Sequence, residues 1–121
     1  MNPTTAYKIL TAEQWAAWQS TGTFTGAPVD IADGYIHMST ADQVTETADK
    51  HFAGQDDLFV VTIDLSAMGD AIVWEPSRGG ALFPHAYAPL PLTTAQAAIP
   101  LTREDSAVIL PEPGRWQPQR G

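Results

Sequence analysis

The run Gly34-Tyr35-Ile36-His37-Met38-Ser39, followed by Thr40, decides how this chain is read. Alternation along an extended strand puts Tyr35, His37 and Ser39 on one face and Ile36 and Met38 on the other. An aromatic and polar face backed by an apolar one belongs to a strand with one side on a core. Thr40, with Gln43 three residues on, reads as a capping box opening a helix over about 41–53 that Gly54 stops. Val44, Ala48 and Phe52 give that helix its apolar stripe.

Upstream, Tyr7–Leu10 reads as a first strand. Thr11 and Gln14 form an earlier capping box, opening a helix over Ala12–Thr21 that Gly22 ends. Trp15 and Trp18 share one face of it. The stretch 23–33, with Gly26, Pro28 and two aspartates, reads as turns. Downstream, Leu58–Leu65 is the strongest strand signal and is expected at the centre of a sheet. Further strands are expected near 71–75, 97–101 and 107–110, with a loop at 76–80, after which 82–87 leads into a proline-broken stretch at 88–92. Two early helices followed by mostly strands make an α+β pattern. The expected organisation is one globular domain at 1–110 and a Pro/Gly-rich tail at 111–121 that adds little stability.

The chain has 121 residues, the size of one domain, and its 44% hydrophobic content excludes a disordered chain. Six Lys and Arg stand against fourteen Asp and Glu, a net charge of −8. That balance excludes an extended nucleic-acid face, which needs many cations, and disfavours anionic membranes. There is no cysteine, so disulfides, thiolate metal sites and cysteine nucleophiles are excluded. No apolar run approaches the ~20 residues of a membrane span, and the N-terminus has no signal-peptide pattern. A cytoplasmic protein is expected; the oligomeric state is not legible.

Three constellations could carry chemistry. His37, Ser39 and Thr40 sit where a strand runs into a helix N-terminus, whose free N–H groups suit an anion or a polarised carbonyl. The competing reading is that the hydroxyls only cap and His37 is a satisfied core histidine. Phe83-Pro84-His85-Ala86-Tyr87 is stiffened by proline, and His85 and Tyr87 share a face able to stack on a flat ring and bond its edge. Against it stands an ordinary proline-rich edge strand. Trp74-Glu75, followed by Arg78-Gly79-Gly80, offers a carboxylate as general base and an arginine to clamp phosphate. Its plain alternative is a solvated strand end and a surface turn. His51, late in a helix, suits the dipole and needs no further role. No phosphate loop, dinucleotide glycine triplet or nucleophile elbow is present, and no local spacing supports a metal, so none is expected.

In that order, Asp33–Thr40, the 58–65 strand, Trp74-Glu75 and Phe83–Leu90 resemble the domain-of-unknown-function family 952 over about residues 6–100. The resemblance implies a fold related to ADP-ribosyltransferases: a split antiparallel β-barrel with two helices in the N-terminal half. It implies that His37 contacts the nicotinamide-side ribose of NAD while Ser39 and Thr40 hold that end. His85 or Tyr87 would stack on the nicotinamide, and Glu75 would stand for the transferase carboxylate. The expectation is therefore one pocket built from His37, Ser39, Thr40, Trp74, His85 and Tyr87. It would take NAD or a related small nucleotide, with Glu75 and His85 catalytic in ADP-ribosyl transfer. The alternatives are a non-catalytic module binding a small ligand in the same pocket, or an interaction protein with no pocket.

Overall fold

The computed structural model describes residues 3–76 and 80–111. The chain runs through β1 (Thr5–Thr11), α1 (Ala12–Thr21), β2 (Thr23–Phe24), α2 (Pro28–Asp33), β3 (Ile36–His37) and α3 (Val44–His51). It continues through β4 (Leu58–Asp64), β5 (Ile72–Pro76), β6 (Leu82–Ala86), β7 (Leu90–Pro91), β8 (Ala95–Pro100), β9 (Arg103–Glu104) and β10 (Ala107–Val108). The α+β pattern stands.

Two three-stranded antiparallel sheets dominate, in the orders β1-β4-β8 and β3-β6-β5. β4 is central, as its β-branched run requires, because both of its faces are covered. Val61 and Ile63 face the larger core with Leu10, Trp15, Trp18, Ile36 and Met38. Val60 faces a second core with Ile9, Val44, Ala48 and Val108, under α3. The chain after β3 joins the two sheets: Tyr7 and Ser39 exchange backbone hydrogen bonds at 2.8 and 2.9 Å, and Met38 N–H donates to Pro84 O at 3.2 Å. Among the described residues, however, these strands do not close into the expected barrel.

The helices divide the sequence reading. α1 forms as read, with Thr11 Oγ1 accepting from Gln14 N–H at 3.0 Å and Gln14 Oε1 accepting from Thr11 N–H at 2.9 Å. α3 begins at Val44 rather than near Ala41, because only half of the second capping box exists. Gln43 Oε1 accepts from Thr40 N–H at 2.9 Å, but Gln43 and Val44 N–H groups then bond the Thr40 carbonyl, a tight turn before the helix. α2 is a correction: the stretch read as turns holds a short helix, so among the described residues the N-terminal half has three α-helices rather than two.

At the other end, the fully buried Thr62 hydroxyl donates to the Pro111 carbonyl at 3.0 Å. Pro111, the expected start of the tail, is thus bonded to the central strand. The Ser77–Gly79 part of the expected loop and residues 112–121 lie outside the described residues.

Candidate functional site

The site is built where α2 hands the chain to β3. Pro28 supplies the preset φ that suits a first helical position, and Gly34 ends the helix at φ 89°, a left-handed turn that a side chain would strain. That turn brings Tyr35 and His37 out on one side of β3 while Ile36 enters the core.

Asp30, with 1% of its side chain exposed, ties three elements together. Its Oδ2 accepts from Ala27 N–H at 2.8 Å, and its Oδ1 accepts from His37 N–H at 3.0 Å. The same Oδ1 lies 2.6 Å from His37 Nδ1. Lys8 Nζ, from β1, donates to Oδ1 and Oδ2 at 3.2 and 3.1 Å and to the His37 carbonyl at 2.7 Å. Burial works to raise the Asp30 carboxyl, but the His37 ring, the Lys8 charge and two backbone N–H groups outweigh it and bring it down to about 2. Burial lowers the Lys8 ammonium, and the Asp30 charge opposes that. On its far side, His37 Nε2 lies 2.9 Å from Asp33 Oδ2. A doubly protonated ring donates to both carboxylates; a neutral ring donates to one.

The facing strand supplies the second wall. His37 and His85 are direct cross-strand partners of β3 and β6, with ring centroids 5.5 Å apart. Tyr35 stacks on His85 at 4.1 Å and lies 4.7 Å from His37 and 5.3 Å from Tyr87. Behind them Glu75 Oε1, on β5, sits 2.6 Å from His85 Nδ1 and accepts from Tyr87 OH at 2.8 Å. Those two hydrogen bonds lower the Glu75 carboxyl, against burial. The bond to Glu75, with burial and charge, pushes the Tyr87 phenol up to about 12. The carboxylate on Nδ1 orients the His85 ring and leaves Nε2 as its other nitrogen.

These groups border a cleft of about 560 Å³, within the ~300–1,000 Å³ of small-ligand sites. Tyr35, His37 and His85 line it together with Tyr7, Lys8, Asp33, Ser39, Phe52 and Phe83. Of the residues singled out from sequence, His37, Ser39 and His85 therefore come together. Ser39 Oγ shares a hydrogen bond with Thr47 Oγ1 at 2.9 Å. Tyr87 joins through Tyr35 and lines a smaller hollow of about 180 Å³. Glu75 reaches the cleft only through His85.

Thr40 and Trp74 do not line the cleft. Thr40 is spent on the turn before α3. Trp74 alternates with Glu75 along β5, opposite Pro84, and packs on the core, so the two could not face one site. Arg78 lies outside the described residues. Sequence reasoning missed Lys8, Asp30, Asp33 and Tyr35 as a set. Pro28, Asp30 and Gly34 carried the signal: proline at the first helical position, an acid at the third and glycine after the last. Among the described residues no three His, Asp or Glu side chains are grouped to hold a metal, and no helix is long and apolar enough to cross a membrane.

Fold and site together define a small α+β domain whose two sheets meet beside one cleft walled by histidine and tyrosine. Residues 9–98 match the family described as proteins of unknown function, DUF952, and the chain belongs to it. The crystal structure of CC0527 from Caulobacter crescentus is similar to it, with 40% identity and a TM-score of 0.80, over 90% of this chain and 94% of that one. The solution NMR structure of CC0527 is also similar, with a TM-score of 0.75 over 88% and 91% of the two chains. Comparison with curated proteins gives no match.

Proposed function

We propose that the protein binds a small nucleotide-type ligand in this cleft, with NAD as the first candidate, and that it works in the cytoplasm. The observation that carries the reading is the His37–His85 cross-strand pair, which meets Tyr35 at the wall of a ligand-sized cleft. Flat rings there suit a heterocycle, and imidazole nitrogens and the Ser39 hydroxyl suit ring edges and ribose hydroxyls. The buried Asp30–Lys8 pair holds His37 in place before any ligand arrives, which reduces the ordering cost of binding. Thermal-shift titrations with NAD, nicotinamide, ADP-ribose and mononucleotides test it, because a ligand of the folded state raises the melting temperature by mass action. A dose-dependent rise with NAD is expected; no rise with any of them at millimolar ligand overturns the reading.

A catalytic reading, ADP-ribosyl transfer, is favoured by one further observation: Glu75 holds Nδ1 of a histidine that lines the cleft. In such a reaction the bond from ribose C1′ to nicotinamide breaks and its electron pair leaves with nicotinamide. The acceptor's hydroxyl oxygen forms the new bond to C1′ and gives its proton to His85 Nε2, and Glu75 stabilises the imidazolium from behind. Glu75→Gln is expected to abolish nicotinamide release and spare NAD binding. Release at the wild-type rate by that variant, or none by the wild type, leaves the binding module.

A further inference from the structure

We infer that the cleft selects an uncharged or cationic nitrogen heterocycle, free or ribosylated, and gains nothing from a phosphate on it. This rests on the nucleotide-type reading above and narrows it to the ring-and-sugar end of the ligand.

The argument is an account of the cations. Among the described residues each Lys and Arg is matched to an acid: Lys8 to Asp30 at 3.1 Å, Lys50 to Glu46 at 3.6 Å and Arg103 to Asp49 at 2.9 Å. Of these only Lys8 lines the cleft. An ammonium has three protons, and Lys8 already meets three acceptors, both Asp30 oxygens and the His37 carbonyl. A phosphate could take one only by leaving a buried carboxylate short of its partner, which is costly.

Three histidines line the cleft, His37, His51 and His85, and two of them are already held by acids. Both nitrogens of His37 face carboxylates, and His85 Nδ1 faces Glu75. Backbone donors at the end of β3 are also taken. Thr40 N–H goes to the Gln43 side chain, and Gln43 and Val44 N–H go to the Thr40 carbonyl. Meanwhile Asp33 puts a carboxylate in the lining, 47% exposed, on a chain of net charge −8. A phosphate would meet repulsion there, while a pyridinium ring would meet aromatic faces and an acid.

Calorimetric titration of the full chain with pairs differing only by phosphate tests this: nicotinamide riboside against nicotinamide mononucleotide, and adenosine against AMP. The phosphorylated member is expected to bind within about threefold of its nucleoside or more weakly. Raising salt from about 50 to about 500 mM should not weaken it, since the exposed Asp33 carboxylate repels the phosphate and salt screens only that repulsion. Binding at least tenfold tighter for the phosphorylated members, and weakening as salt rises, overturns the inference while leaving the nucleotide reading intact. Absence of binding by all four overturns the nucleotide reading itself.

Discussion

At the scale of single residues, Asp30 organises the site, and its partners set what its loss costs. Asp30→Ala strands the buried Lys8 ammonium, the His37 ring nitrogen and two backbone N–H groups together. A cost of about 3–5 kcal/mol is expected, as for one half of a buried ion pair, and urea unfolding measures it. The pH dependence follows from the carboxyl's fall from its ordinary 3.8 to about 2. Stability from a depressed acid is complete above its unfolded value and fades as pH drops through the folded one. Melting temperature should therefore fall between pH 4 and 2, and fall less steeply in Asp30→Asn. Sequence showed His37 and His85 because alternation marks faces, and both land on the cleft. It did not show that Lys8, far upstream on β1, meets Asp30, because that contact depends on how three separate elements converge.

At the scale of elements, two similar signatures have different outcomes. Thr11-x-x-Gln14 closes a full capping box, whereas Thr40-x-x-Gln43 closes one half and becomes a turn. Thr11→Ala should cost about 0.5–2 kcal/mol, and Thr40→Ala should stay within about 0.5 kcal/mol, both read from thermal melts. Equal losses would contradict this account. The first box succeeds because the turn that follows buries Trp15 and Trp18 at once. After Thr40 the chain must still bond Tyr7 through Ser39 and bring Val44 over Val60, so tertiary contacts fix where the helix begins. α2 was hidden for the opposite reason. It is a six-residue helix with no apolar stripe to announce it, legible only from its end residues.

At the scale of the whole molecule, composition and periodicity gave the α+β class and the centrality of β4, because its unbroken apolar run had to be covered on both faces. They could not give the join between the sheets, made by single backbone contacts around Ser39, nor the bond from Thr62 to Pro111. Truncation after Leu110 removes the acceptor of the Thr62 hydroxyl and leaves it buried and unpaired. A cost of about 1–3 kcal/mol is expected, a drop of several degrees in melting temperature; an unchanged melt would contradict this cost. The central claim, that the cleft lined by His37 and His85 receives the ligand, is tested most directly by titrating NAD into ¹⁵N-labelled protein and following every amide. The account expects shifts concentrated at Tyr35, His37, Ser39 and His85, with β9 and β10 unmoved. Shifts centred elsewhere, or none at millimolar NAD, would contradict it.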